Sequence, residues 1–243
     1  MFCQVDIVSA QIEMPEPEKE EEKEEVRDKK QMDPSEVKNE VLFYANWSNT
    51  SRVLRPNPAN DGLFGEPLGI REDELNLNVW SYGLGFRSVF KEHFMWQGGI
   101  SWMRNGETFD YQAPDSDSTF AYQTYYNYIA MPIKVMYQTG GRVNFYGGVG
   151  VMPQLFFSYR QEQQWTTIVN TQVSETLKTK NGFNTFVLAG MITAGVQLRM
   201  NSGASLFLEP EYRIHLTNSY TEIDSYEHFG RAFGLNLGFT YPI

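Results

Sequence analysis

From residue 41 to the C-terminus, apolar and polar side chains alternate along the chain with a period of two. In the last segment the large apolar side chains share one face: Phe233, Leu235, Leu237, Phe239, Tyr241 and Ile243. The alternate positions hold smaller or more polar residues: Gly234, Asn236, Gly238, Thr240 and Pro242. A helix would scatter each set around its axis, so this period predicts strands.

The same alternation marks eight segments, at residues 41–49, 77–90, 95–105, 122–138, 143–160, 185–200, 204–217 and 231–243. Each reaches the ~9–11 residues that a tilted membrane-spanning strand requires. Short turns at 91–94, 139–142 and 201–203 alternate with long polar stretches at 50–76, 106–121, 161–184 and 218–230. Such a rhythm is typical of outer-membrane barrels. The sequence therefore predicts an all-β fold, a closed antiparallel up-and-down transmembrane β-barrel of about eight strands.

The character of the polar face indicates that the apolar face meets lipid. Small side chains dominate the polar positions, as expected inside a narrow barrel: Gly83, Gly85, Gly99, Ser101, Gly148, Gly150, Thr193, Gly195, Gln197, Gly234, Asn236 and Gly238. The sparse ionisable residues on this face predict a charge network in the lumen: Arg87, Lys134, Arg199, Glu209, Glu211, Arg213 and His215. This network could be an electrostatic plug or a gate along an ion path. An Arg or Lys placed in lipid instead would cost about 2–4 kcal/mol.

Aromatic residues fall near strand ends or on the apolar face, which predicts aromatic girdles at the two membrane interfaces. The candidates are Trp80, Tyr82, Trp96, Trp102, Tyr125, Tyr128, Tyr137, Tyr159 and Tyr212. Ordinary core aromatics of a soluble sheet protein are the alternative.

Charge is distributed unevenly along the chain. The formal net charge is −10, which argues against a nucleic-acid partner. Residues 1–40 hold 13 acidic and 6 basic residues, and 17 acidic and 14 basic residues remain for 41–243. Of residues 13–40, 18 of 28 are charged, and the segment is expected to form a disordered periplasmic tail, either a spacer or a docking strip. Residues 1–12 are interpreted as a signal-peptide remnant or the mature N-terminus, and 41–243 as the barrel.

One strand and its successor resemble a known family. The segment Tyr128–Tyr137 reads Tyr-x-x-x-Pro-(aliphatic)-x-x-x-Tyr before a tight turn, and Asn144–Gly150 follows with an aromatic and glycine-rich centre. This arrangement is similar to PorT-like outer-membrane β-barrel proteins, as are Ala189–Val196 and Leu235–Phe239. The resemblance implies a small eight-stranded barrel and, by analogy with some members, a link to secretion machinery. The acidic tail and the final Tyr241-Pro242-Ile243 depart from the family pattern.

Catalytic and metal chemistry find little support in the sequence. The three histidines are His93, His215 and His228, and only His215 has hydroxyl groups such as Ser205 or Thr217 in its vicinity. The lone cysteine, Cys3, excludes a disulfide framework. Asp110, Asp115 and Asp117 lack the glycine of a tight calcium loop. We therefore expect no enzyme activity, no metal and no cofactor.

The long polar stretches remain as candidate binding surfaces, because loops on a rigid scaffold commonly carry function. The candidate residues are Arg52, Arg55, Phe64, Arg71 and Trp165. The expected function is that of a structural or accessory subunit of a larger outer-membrane complex, with both termini in the periplasm. The alternative is a free-standing surface barrel that binds an extracellular ligand. The expected partners are the lipid bilayer, other outer-membrane proteins and a periplasmic partner of the tail; a small enzyme or narrow pore is a third hypothesis.

Overall fold

The computed structural model describes residues 39–58, 69–114, 118–166, 171–221 and 225–243. The strands in these ranges are β1 (Asn39–Pro56), β2 (Leu75–Lys91), β3 (Phe94–Gln112), β4 (Thr119–Ala130), β5 (Ile133–Gln138), β6 (Val143–Thr166), β7 (Gln172–Thr179), β8 (Phe186–Arg199), β9 (Ser205–His215) and β10 (Tyr226–Pro242). A short 3-10 helix spans Gly69–Asp73. Within the described ranges, no helix has the length and apolar character needed to cross a membrane.

Antiparallel pairing closes the sheet into a ring. The order runs β1, β2, β3, β4 with β5, β6, β8, β9 and β10, and β10 returns to β1. The closing pair is continuous from Glu40↔Pro242 to Pro56↔Tyr226. Strands β4 and β5 follow each other along one line of the barrel wall, because both pair with β3 and β6 and only the Met131-Pro132 dipeptide separates them. We call each such line of the wall a stave. The predicted closed barrel of eight antiparallel staves is confirmed.

The strands extend further than the apolar alternation predicts. β1 continues to Pro56, β3 to Gln112 and β6 to Thr166, and β7 occupies eight residues of the stretch expected to be a loop at 161–184. The prediction of long loops is therefore wrong for these residues. Beyond the apolar part of the wall neither face of a strand is apolar, so the two-residue period disappears from the sequence while strand pairing continues. β1 also begins at Asn39, inside the range assigned to the acidic tail.

Large apolar side chains cover the outer wall of the barrel. We call this surface the apolar belt; its middle is marked by exposed Phe43, Trp47, Leu84, Ile100, Ile129, Ile133, Val149, Leu155, Ile192, Leu208 and Leu237. On the side of the long connections the belt stops at outward-facing Asn49, Asn78, Arg104 and Arg160. We call the barrel beyond these four residues the outer end, and the opposite side, with the short turns, the turn end.

Glycines inside the barrel make room for large rings from neighbouring strands. Tyr44 lies directly opposite Gly83, and a Cβ on this glycine would stand 2.3 Å from the tyrosine ring. Tyr146 and Gly195 repeat the arrangement between β6 and β8, as do Phe207 and Gly238 between β9 and β10. In all three pairs a ring fills the space that the glycine leaves.

Candidate functional site in the barrel interior

A buried lysine is the centre of the interior at the level of the apolar belt. Lys134 on β5 extends across the lumen, and its Nζ donates to Glu209 Oε1 at 2.5 Å and to Glu211 Oε2 at 2.9 Å, both on β9. All three side chains are buried. Asn236 on β10 donates to the same two carboxylate oxygens. The contact therefore joins β5, β9 and β10 through the centre of the barrel.

Arg87 forms the next layer toward the turn end. Its Nη2 donates to Gln97 Oε1 at 2.9 Å and its Nη1 to Gln197 Oε1 at 3.1 Å, while Glu209 Oε2 lies 3.8 Å away. The guanidinium also lies over the Tyr146 ring, 4.8 Å from its centroid. Gln197 donates to Glu40, which is buried inside β1. Residues from six strands of the ring thus converge on one cross-section.

Arg213 continues the interior toward the outer end. Its Nη2 donates to Ser48 Oγ at 2.9 Å, and its Nε lies 3.4 Å from Glu211 Oε1. Above it, His215 contacts Ser219 Oγ at 2.9 Å and Asn105 Nδ2 at 3.2 Å. The seven residues predicted to form the lumen network are all buried. Arg199 lies farthest toward the turn end, beside Arg142. This cross-linked arrangement favours a plug over an ion path.

A second polar cluster fills the outer end. Arg52 on β1 forms an ion pair with Glu74 and donates to Tyr126 Oη at 3.0 Å and Tyr220 Oη at 2.7 Å. Glu107 on β3 accepts a hydrogen bond from Tyr126 at 2.9 Å and lies 3.6 Å from Arg52. We call these five residues the outer cluster. Two further residues lie against the outer cluster: Tyr122 donates to Glu74, and His228 stacks on Tyr220.

The outer cluster holds a carboxyl group with an unusual proton affinity. Burial raises the pKa of Glu107 to about 7, and the Glu74 carboxylate adds to the rise while Arg52 opposes it. Burial also lowers the pKa of His228 well below its usual range. Both groups belong to the outer end, beyond the apolar belt. The uncharged form of Glu107 is therefore the one that the fold favours at mildly acidic pH.

Replacing Glu107 with Gln should change how stability depends on pH. A raised folded-state pKa means that the native state holds the proton more tightly than the unfolded chain, so the contribution is present at low pH and lost as pH rises through 7. Between pH 5 and pH 8, the wild type should lose about 2 kcal/mol relative to Glu107→Gln. Urea titrations of both proteins in lipid vesicles would measure this difference in unfolding free energy. His228, whose lowered pKa has the opposite effect on stability, is present in both proteins, so its contribution cancels. Parallel pH profiles would contradict the assignment.

The predicted loop surface is divided by the fold. Arg55 and Arg71 are exposed and lie over the rings of Phe229 and Tyr226 respectively. Trp165 pairs with Val173 in the β6–β7 hairpin, and Phe64 lies outside the described residues. Arg52 corrects the prediction, because its side chain points inward and its charge is neutralised within the outer cluster. The candidates therefore do not form one continuous surface.

The girdle candidates also divide. The belt exposes six of them on the outer wall: Trp80, Tyr82, Trp96, Trp102, Tyr137 and Tyr212. Tyr128 is fully buried, because it lies an even number of residues before Lys134 on the β4–β5 stave and therefore points inward as Lys134 does. We call this alternation between inward and outward positions the parity of a strand. Tyr159 is partly buried against Tyr126 and Phe183, since a bulge opposite Asn127 and Tyr128 reverses the parity of β6. The expectation that Tyr128 and Tyr159 belong to a girdle is wrong.

Sequence reasoning missed three buried carboxylates. Glu40 was assigned to the acidic tail, and Glu74 and Glu107 to long loops. Extending the inward parity of β3 from Met103 and Asn105 would have identified Glu107. Glu74 offered no signal, since it lies just before β2.

The histidines and aspartates show no assembled catalytic or metal site. Within the described ranges, no group of three His, Cys, Asp or Glu side chains is placed to hold a metal ion. The hydroxyl that reaches His215 belongs to Ser219; Ser205 lies at the opposite end of β9. Asp110 lies on β3, and Asp115 and Asp117 lie outside the described residues. The expectation of no enzyme activity stays a prediction.

Comparisons with known proteins were made at the levels of sequence and structure. No protein-family model and no curated protein matches the chain. Solved structures similar to it include Ail, the attachment invasion locus protein of Yersinia pestis, at 13% identity over 84% of this chain and 100% of that one, with a TM-score of 0.34. Neisserial surface protein A is 13% identical over 84% and 97% of the chains (TM-score 0.42). OprG of Pseudomonas aeruginosa is 11% identical over 85% and 96% (TM-score 0.43). The fold assignment rests on the strand pairing itself, and the PorT-like resemblance stays a prediction.

Proposed function

We propose that this chain is a non-enzymatic bacterial outer-membrane β-barrel that conducts no ions and acts by binding another molecule at its outer end. Two features support the placement in a membrane: the wall exposes a continuous apolar belt, and the polar side chains are turned inward. The short connections and both ends of the described chain, where Ile243 donates to the Asn39 carbonyl, belong to the turn end. Since short turns of outer-membrane barrels face the periplasm, we place the outer end outside the cell.

The observation that carries the binding role is the open sheet at the outer end. β7 pairs with β6, and the described residues give its other edge no strand partner. A cleft of about 420 Å³ lies between β7 and the start of β10. Its lining combines aromatic rings with polar groups: Arg71, Tyr159, Thr179, Asn181, Phe183, Tyr220 and Tyr226. An open strand edge beside an aromatic cleft is suited to a protein partner, through main-chain hydrogen bonds and a side-chain pocket.

The partner that we favour is another protein of the outer membrane, so that the chain serves as an accessory or structural subunit of a larger assembly. The aromatic and aliphatic residues of the belt would then contact neighbouring membrane proteins. The second candidate is a free-standing barrel that binds an extracellular ligand, which the cleft around Arg71 and Tyr226 favours.

Affinity isolation of the tagged chain after mild detergent extraction tests the proposal. The wild type should retain defined membrane proteins, and a variant with a shortened β6–β7 hairpin should lose them. Residues 162–176 can be replaced by an Asn-Gly turn, because Gln161 and Leu177 are cross-strand partners. A Gly-Ser insertion at Glu92, in a turn of the turn end, serves as the control. Isolation of a lone monomer would count against the subunit role, and binding to added ligand would then decide for the second candidate.

Conductance measurements test the closed lumen separately. Because Lys134, Arg87 and Arg213 bridge the interior from several staves, the protein reconstituted in planar bilayers should show no steady conductance. Discrete, reproducible channel steps would contradict the proposal.

A further inference from the structure

A second cleft lies on the outside of the barrel, at the border between the apolar belt and the outer end. It has a volume of about 340 Å³ and is formed by side chains of β3, β4, β6 and β7. Its lining is strongly basic in an acidic protein, with three cations and one carboxylate: Arg104, Arg160, Lys178 and Glu162. Tyr125, Asn127, Ser158 and Tyr159 complete the lining. The three positive charges and one negative charge leave a formal excess of two positive charges.

The position of Arg104 is supported from several sides. Its Nε donates to Asn127 Oδ1 at 3.1 Å, and Asn127 Nδ2 in turn donates to Ser158 Oγ at 3.2 Å. The guanidinium lies over the rings of Trp102 and Tyr125, at 5.4 and 5.3 Å from their centroids. None of the described carboxylates forms a salt bridge with Arg104. The charge is thus held in place while remaining available to an anion.

A like-charge pair lies across the same cleft. Arg160 and Lys178 are direct cross-strand partners in the β6–β7 hairpin. Like charges at directly opposed positions destabilise a strand pair. Glu162 offsets one of them through its contact with Arg160 Nη2 at 2.5 Å, which leaves a charge that a bound anion would neutralise. The repulsion between Arg160 and Lys178 therefore destabilises the β6–β7 hairpin by itself, and a bound anion would relieve it.

An apolar groove lies beside this cleft on the outer wall, nearer the middle of the belt. It has a volume of about 360 Å³, and its lining is almost entirely apolar: Phe43, Tyr82, Leu84, Ile100, Trp102 and Ile129, with Gly83 and Ser101. Trp102 lines the groove, and Arg104 of the cleft lies over its ring. The cleft and the groove are therefore neighbours on β3 and β4, with the groove extending toward β1 and β2 and the cleft toward β6 and β7.

We propose that this wall binds an anionic lipid with a phosphorylated headgroup, from the leaflet on the side of the outer end. Arg104, Arg160 and Lys178 contact the phosphate, and an acyl chain lies along the groove between Trp102, Tyr82 and Ile129. The inference rests on the membrane placement proposed above. The groove distinguishes a lipid from a free phosphate, because only a lipid uses both parts of the site.

Native mass spectrometry of the full chain in a neutral detergent tests the site, with dioleoyl phosphatidic acid, dioleoyl phosphatidylcholine and inorganic phosphate as separate probes. The wild type should prefer phosphatidic acid over phosphatidylcholine. The Arg104→Gln/Lys178→Gln variant should bind phosphatidic acid about 25-fold more weakly, at roughly fivefold for each cation removed. Lys91→Gln/Arg142→Gln is the matched control, since it removes two exposed charges from the turn end, away from both clefts, and should bind like the wild type.

Each other outcome would overturn the proposal. Equal losses in the two double variants would mean unspecific attraction, and no preference in the wild type would mean no headgroup site. Phosphate binding as tight as lipid binding, with the same loss in Arg104→Gln/Lys178→Gln, would assign the cleft to a soluble anion. Insertion into phosphatidylcholine vesicles is measured first: failure there refutes the membrane placement, whereas insertion without lipid preference refutes only the lipid site.

Discussion

Replacing Lys134 with Met is expected to destabilise the barrel by about 3–5 kcal/mol, because one partner of a buried charged contact disappears while the others remain. The ammonium donates to both Glu209 and Glu211, and all three side chains are buried. Without the ammonium, the two neighbouring carboxylates on β9 lose a hydrogen-bond donor and the positive charge that compensates them. The midpoint of urea unfolding in phosphatidylcholine vesicles measures the loss.

Two companion variants make the result specific. Lys134→Arg keeps the positive charge and should lose less stability than Lys134→Met. Lys91→Met removes an exposed lysine at the end of β2 and should leave the midpoint nearly unchanged. If Lys134→Met unfolded at the same urea concentration as the wild type, the central cross-link would carry little of the stability of the barrel.

Replacing Gly148 with Ala is expected to cost about 3 kcal/mol or to prevent folding, since the added methyl group meets backbone and has no room to relax. A Cβ at Gly148 would stand 2.2 Å from the Val135 carbonyl oxygen and 2.6 Å from Met136 Cγ. Gly148 lies directly opposite Met136, where β5 and β6 approach closely. Folding yield and urea midpoint in vesicles report the effect.

The neighbouring glycine provides the control. A Cβ at Gly147 would meet Thr193 O at 3.4 Å, an ordinary van der Waals distance, and would face the outer wall. Gly147→Ala should therefore fold normally. Similar behaviour of the two variants would show that the close approach of β5 and β6 does not limit the residue at position 148.

The strands and their register at the level of the belt could be predicted from the sequence alone. The reason is physical: an apolar outer wall and a crowded polar lumen require opposite chemistry at successive residues. The strand that carries Glu209, Glu211 and Arg213 is the clearest case, because a shift by one residue would place these charges on the apolar wall. The same reasoning identified seven inward-facing residues that the structure buries, although it missed Glu40, which accepts from Gln197 in the same network.

Local irregularities in the strands are what the alternation could not reveal. Tyr128 and Tyr137 differ in parity, so one stave cannot direct both to lipid, and the structure buries Tyr128. Tyr159 turns inward only because of the bulge near Asn127. Bulges insert one residue without a reliable sequence signal. A run of tyrosines therefore does not define a girdle until the parity of its strand is known.

The outer end was the least predictable part of the fold. Arg52 belongs by sequence to a polar stretch, and its burial depends on Glu74, Tyr126 and Tyr220, which are distant in the chain. Strands without an apolar face leave no period to detect. The candidate binding surfaces there, including the β7 edge and the cleft beside it, come from strand pairing and could not be recognised from composition.

The central claim is that the apolar belt contacts hydrocarbon, and spin-label accessibility tests it most directly. In a Cys3→Ser background, single cysteines at Ile192 and Leu237, both 61% exposed on the wall, would carry labels in vesicle-reconstituted protein. Labels at Asp110 and Thr176, on strands of the outer end, serve as references. We expect labels 192 and 237 to collide with oxygen and to be shielded from a water-soluble nickel complex, with the reverse at 110 and 176. Free access of the nickel complex to 192 and 237, in a chain that stays folded without surfactant, would contradict the account.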